Sequence, residues 1–144
     1  MKPDCIFCAI AAAQAPAHRV FEDDLSYAIL DINPLSQGHC LVIPKRHVPW
    51  WHELTEAETT SLFNVARIVA KRMMTVFQPE MVTLYARGRR IPHTHLFLVP
   101  THRDDPLDRF FNALEKFQEA PPELTRLRES AALREAARRL RESE

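Results

Sequence analysis

The stretch IPHTHLFLVP, residues 91–100, sets His93 and His95 two apart in an apolar run punctuated by Pro92 and Pro100. Side chains of a strand alternate faces, so a strand across this run carries His93, His95, Phe97 and Val99 on one side and Thr94, Leu96 and Leu98 on the other. The two imidazoles are then neighbours. Alone, such a pair reads equally as a half-buried edge strand whose histidines bond to backbone and as part of a site. The rest of the chain has to separate these readings.

Just upstream, MVTLYA (81–86) has strand character and RGRR (87–90) turn character. Before them, TEAETTSLFNVARIVAKRMMTVF (55–77) changes period. Thr55 and Glu58 stand at capping-box spacing, apolar residues recur at Leu62, Val65, Val69, Met73 and Val76 or Phe77, and Pro79 closes the segment. This predicts one long amphipathic helix. Further back lie three short β-like runs, RVFE (19–22), SYAILD (26–31) and HCLVIP (39–44), separated by DDL and by INPLSQG, whose Asn33-Pro34 and Gly38 are turn chemistry. Connections this short imply antiparallel neighbours. From Thr101 onward the character changes. DDPLDRFFNALEKFQ opens with an Asp N-cap candidate and Pro106 in the first turn. After APP, ELTRLRESAALREAARRLRESE is expected as one further helix, with leucines at 124, 127, 133 and 140, lying on the body or on a partner chain.

A chain of 144 residues is long enough to bury a core without disulfide staples, and an apolar fraction of 46% supports a globular protein. Lys plus Arg equal Asp plus Glu at 19 each, so no global field recruits nucleic acid or a membrane, and attraction for a charged ligand must be local. No run approaches the roughly 20 apolar residues that span a bilayer. The start lacks a basic segment followed by an apolar one, so a cytoplasmic protein is expected. Three cysteines are an odd count. In a reducing compartment the close pair Cys5 and Cys8 reads as metal or redox chemistry before it reads as a disulfide.

Cys-x-x-Cys is the spacing at which a turn lets two thiolates bind one zinc, but a tetrahedral site needs two more ligands. His47, straight after the LVIPKR strand, and His93 are the best placed along the chain; a pair of inert, partly buried thiols is the alternative. A thioredoxin-like reading expects a strand before the pair and a βαβ unit around it, and the pair has neither. His39 opens a strand where its side chain either projects into a cleft or lies on the surface. Arg87, Arg89 and Arg90 form a compact cationic turn in a neutral protein, which serves as a phosphate clamp or as a solvated loop.

Taken in order, CIFCAI, FEDD, LDINP, GHCLVIPKRH, the long helix and PHTHLFLVP resemble the histidine triad family of nucleotide hydrolases and transferases over about residues 5–100. Several matched segments in order are more specific than the histidine pair itself. The resemblance implies that His95 is a nucleophile that attacks the α-phosphorus of a nucleotide conjugate, and that the carbonyl of His93 orients it. It implies that Asp31 holds the ribose, that Ile32, Phe7 and Ile10 line the base pocket, and that His39 lies near the phosphate. It also implies a structural zinc on Cys5, Cys8, His47 and His93, and a two-fold homodimer. Two positions depart from the family pattern. Phe97 stands where the third histidine belongs, and Arg89 falls where a glutamine usually contacts the phosphate bridge. Phenylalanine neither donates nor accepts a hydrogen bond, and losing a single such donor costs about 10²–10³-fold in rate. Arg89 can offset part of this as a cation.

These readings combine into an α+β fold: an antiparallel sheet of about five strands with one long helix across it (residues 1–103) and a helical C-terminal extension (104–144). The expected function is hydrolysis or transfer at the α-phosphate of a purine nucleotide conjugate, with His95, His93, His39 and Arg89 as the catalytic set. The competing expectation is a catalytically weak or inactive nucleotide-binding protein whose tail engages a partner.

Overall fold

The computed structural model describes residues 2–143. The chain forms two compact units, the first running to Arg103 and the second beginning at Asp104. In the first, strands β1 (Arg19–Glu22), β2 (Ser26–Leu30), β3 (Cys40–Pro44), β4 (Met81–Tyr85) and β5 (Leu96–Thr101) make one antiparallel sheet in the order β1-β2-β3-β5-β4. The β-branched and aromatic residues of these short runs suit a pleated, half-buried surface. A short helix α1 (Ile6–Ala11) precedes the sheet, and α2 (Glu56–Phe77) lies between β3 and β4 in sequence.

Helix α2 begins where the sequence places it. The Thr55 hydroxyl accepts the Glu58 N–H at 3.2 Å, and the Glu58 carboxylate accepts the Thr55 N–H at 2.9 Å, a complete capping box. The helix ends at Phe77 because Gln78 adopts a left-handed conformation, φ 50°, ahead of Pro79. Its stripe Leu62, Val65, Ala66, Val69 and Met73 packs on Ala28, Cys40, Val42, Leu96 and Leu98 of the sheet, with Phe77 against the edge of this core. Each buried Leu, Val and Met side chain among these contributes about 1.5–3 kcal/mol. The opposite sheet face carries Tyr27, Ile29, Leu41 and Ile43, covered by Cys5, Phe7, Cys8 and Ile10. The buried Tyr27 hydroxyl donates to the Phe7 carbonyl at 2.7 Å and ties α1 down. The sheet is therefore closed by α2 on one side and by the cysteine segment on the other.

Two expectations need correction. The histidine run is not a strand from its start: β5 begins only at Leu96. Pro92 has no N–H to give a ladder. The His93 N–H turns back to the Ile91 carbonyl at 2.8 Å, and the Thr94 N–H and hydroxyl both donate to the Val48 carbonyl, at 2.7 and 2.6 Å. The segment is thus anchored to the loop after β3 rather than to a neighbouring strand, and simple alternation does not govern His93. Second, the final segment is not one helix. In the second unit α3 (Pro106–Glu119) is capped by Asp105, which accepts the Asp108 N–H at 2.9 Å. A 3₁₀ turn over Pro122–Arg128 follows, and Glu129, in extended conformation, separates it from α4 (Ser130–Arg141). Arg128 donates back to the carbonyls of Gln118 and Glu119 at the end of α3, which fills the acceptors a helix end leaves open and holds this stretch out of a continuous helix.

Candidate active site and metal centre

Cys5 is the N-cap residue of α1 and Cys8 lies in its first turn, so three-residue spacing turns both thiols to one side. The two imidazoles arrive from elsewhere: His47 from the loop after β3, His93 from the anchored segment before β5. Cys5 Sγ lies 3.4 Å from His93 Nδ1, Cys8 Sγ 3.4 Å from His47 Nδ1 and 3.6 Å from His93 Nδ1. All four ligand atoms fall within 4.8 Å of one another. A tetrahedral S₂N₂ zinc centre with Zn–S of about 2.3 Å and Zn–N of about 2.0–2.1 Å has sulfur-to-nitrogen edges of roughly 3.5 Å. The observed separations match those edges, so the four residues can hold a zinc ion as a closed set. His93 Nε2 donates to the Pro44 carbonyl at 2.7 Å, which leaves Nδ1 with its lone pair toward the thiols. Burial holds the His93 imidazolium down and pushes the Cys8 thiol up. A divalent cation in their midst would favour the thiolate instead.

His93 also faces the second half of the site through its backbone. Its carbonyl accepts from His95 Nδ1 at 2.7 Å, so a neutral His95 carries its proton on Nδ1 and keeps a lone pair on Nε2. Burial, the largest influence, keeps the His95 imidazolium disfavoured. The ring is edge-on to Phe7, centroids 5.1 Å apart, and to Phe97 at 5.0 Å. His39 precedes β3 and is 2% exposed. Its Nδ1 accepts the Leu35 N–H at 3.1 Å, so Nε2 bears the proton and points at Asp31 Oδ2, 3.5 Å away. That is too long for a hydrogen bond, and His39 Nε2 is a buried polar atom without a partner among the described residues. Burial lowers the His39 pKa, with Asp31 partly offsetting it. Asp31 accepts the Asn33 N–H through Oδ1 at 2.8 Å, which holds its other oxygen toward His39.

Phe7 and Ile10 are buried beside this cluster, whereas Ile32 is 87% exposed on the loop after Asp31. The arginines are divided. Arg89 sits on the exposed turn, Arg90 lines a cleft with Lys2, Cys5 and His47, and Arg87 lines a second cleft with Trp50, Trp51 and His95. Sequence reasoning singles out neither Trp50 and Trp51, which have no periodic signal, nor Tyr85. The latter is the Cα partner of Phe97 across β4 and β5, and the two rings stack with centroids 4.7 Å apart and planes 8° from parallel. Only strand register reveals that contact. Burial and the Asp31 charge raise the Tyr85 pKa.

Residues 12–104 match the sequence profile of the HIT domain. The chain is 31% identical to adenylylsulfatase HINT3 of Arabidopsis thaliana, over 73% of this chain and 56% of that protein. It is 32% identical to adenosine 5'-monophosphoramidase HNT1 of Saccharomyces cerevisiae, over 67% of this chain and 61% of that one. The chain thus spans under two thirds of the length of either. Among solved structures, a HIT family protein from Bacillus anthracis superposes with a TM-score of 0.69 at 26% identity, covering 84% of this chain and 99% of the other. A Zn-bound histidine triad family protein from Mycobacterium smegmatis superposes with a TM-score of 0.67 at 26% identity, covering 82% and 98%.

Proposed function

The chain belongs to the HIT domain family, and from that premise we propose that it is a nucleotide hydrolase or nucleotidyltransferase acting at the α-phosphate of a purine nucleotide conjugate, with His95 as nucleophile. The observation that carries this reading is the His95 Nδ1 bond to the His93 carbonyl, which directs a free Nε2 lone pair outward. Nε2 bonds to phosphorus while the bond to the leaving group breaks and its electron pair departs with that group. Water or another acceptor then attacks the nucleotidyl-histidine, the phosphorus–nitrogen bond returns its pair to Nε2, and the acceptor's proton passes to solvent. Dividing one displacement into two is the advantage of covalent catalysis. The orphaned Nε2–H of His39 suits a phosphate oxygen, Asp31 the ribose hydroxyls, and Phe7, Ile10 and Ile32 the base. Arg89, with Arg87 from the same turn, supplies cationic charge to the phosphates. Relatives named adenylylsulfatase and adenosine 5'-monophosphoramidase support a nucleotide substrate and differ in leaving group.

Cys5, Cys8, His47 and His93 would hold zinc. Because the set is closed, the ion would act as a structural cross-link and offer no open position to substrate. A two-fold homodimer in the cytoplasm completes the proposal.

The family motif's third histidine falls on Phe97, and this one residue favours a second reading, a weak or inactive nucleotide binder whose tail engages a partner. Incubation with an adenosine phosphoramidate and a dinucleoside polyphosphate separates the two. An active enzyme releases nucleotide, adds nucleotide mass at His95, and loses turnover in His95→Asn, while Phe97→His alters its rate by no more than about tenfold. A retired site shows no turnover in the wild type and gains it only with Phe97→His.

A further inference from the structure

The apolar ring at position 97 leaves the departing group without a partner on that residue, and β4 presents a hydroxyl beside it. Phe97 and Tyr85 are opposite one another in the β4–β5 ladder, and their stacked rings show that both side chains rise from the same sheet face. His95 meets Phe97 on that face at 5.0 Å and His39 meets it at 5.9 Å, between ring centroids. The phenol oxygen, one bond beyond its ring, is carried on the sheet face that holds His95 and Phe97, the same face on which an imidazole at position 97 would present its distal nitrogen.

We propose that Tyr85 donates a hydrogen bond to the departing atom of the substrate, in place of the imidazole absent at position 97. The proposal rests on His95 as the nucleophile. As the phosphorus–oxygen bond breaks, its electron pair stays on the leaving oxygen and the Tyr85 O–H stabilises the charge developing there; the phenol keeps its proton. Half-buried and near the Asp31 carboxylate, the phenol is a weak acid across neutral pH and serves as a donor rather than as a proton source. The substrate class follows. A site that stabilises an anion without protonating it takes mixed anhydrides, whose leaving group departs as a stable oxyanion, in preference to phosphoramidates, whose amine needs a proton.

Tyr85→Phe removes one oxygen and keeps the ring stack, so it tests the hydroxyl alone; thermal melting verifies that the variant folds. With a dinucleoside polyphosphate, kcat is expected to fall about 100-fold with KM changed less than about threefold, the loss typical of one donor aimed at developing charge. With a nucleotide ester of a highly acidic phenol, which needs little stabilisation, the loss should stay under about tenfold. Tyr85→Phe combined with Phe97→His should recover most of the anhydride rate, because the imidazole returns the donor. The proposal is overturned if Tyr85→Phe turns over the anhydride within about twofold of wild type while His95→Asn is inactive, a result that leaves the nucleophile assignment intact. Equal losses with both leaving groups, or an effect on KM alone, also overturn it. Wild-type protein inert toward every substrate removes the underlying reading as well.

Discussion

Gly38→Ala should destabilise the protein severely, because two costs fall on one position. Gly38 has φ +88°, in the left-handed region that an L side chain enters at about 1–2 kcal/mol. A Cβ built there would also stand 2.2 Å from Phe77 Cε2, 2.8 Å from Cζ and 2.9 Å from Cδ2. The Phe77 ring is packed against the core beneath α2, so swinging it aside opens a gap, and overpacking of this kind costs about 1–3 kcal/mol. Together the two give about 2–5 kcal/mol, or roughly 5–15 °C in Tm for a chain of this size. Urea denaturation followed by far-UV circular dichroism measures the loss. Phe77→Leu in the Gly38→Ala background removes the ring edge and should return the steric part while leaving the backbone part, so the double variant is expected to be less destabilised than the sum of the singles. His39 follows Gly38 directly, so nucleotide affinity should fall in Gly38→Ala as the loop that orients its ring shifts. A loss under about 1 kcal/mol, or strict additivity of the two changes, would refute the reasoning.

Glu58 is held down to about 2 from an ordinary 4.5, chiefly by the Arg46 guanidinium that bonds both its oxygens. A depressed carboxylate stabilises fully above pH 4.5 and progressively less as pH falls toward 2, so Glu58→Gln should flatten the acid limb of stability across that window. The difference at neutral pH should be about 1–2 kcal/mol after allowance for the half-exposed guanidinium, read from denaturation at each pH. Cys8→Ser should abolish stoichiometric zinc by elemental analysis and lower Tm by more than about 10 °C, since the binding energy of a structural ion is folding energy; unchanged melting of a metal-free variant would contradict the centre. Asp31→Ala should reduce the concentration-dependent Tm increase given by AMP, a shift that arises because ligand selects the native state. Equal AMP shifts in variant and wild type would place the ribose elsewhere.

Apart from the ordered motifs, whose family resemblance points to His39, His47, His93, His95 and Asp31, what can be read from the sequence is what depends on neighbours three or four residues away, or on strict alternation. The capping box of α2, its buried stripe and the Asp105 cap of α3 are local hydrogen-bond and packing patterns, and the sequence alone determines them. Cys5 and Cys8 are likewise a local pair. His47 and His93 stand 39 and 85 residues from Cys8, and only the folded chain brings their nitrogens to 3.4 and 3.6 Å from its sulfur. The start of β5 escaped periodicity because Thr94 finds its acceptor at Val48, a choice made by a loop distant in sequence. The break before α4 follows from Arg128 reaching back to the end of α3. Tyr85 is the clearest case: nothing in MVTLYA marks one residue over another, and it joins the site only because β4 pairs with β5 in the register that sets it opposite Phe97. A chain's own letters record the geometry of one element. Which side chains meet across elements is settled by how two apolar sheet faces are covered at once, and that is a property of the whole packed unit.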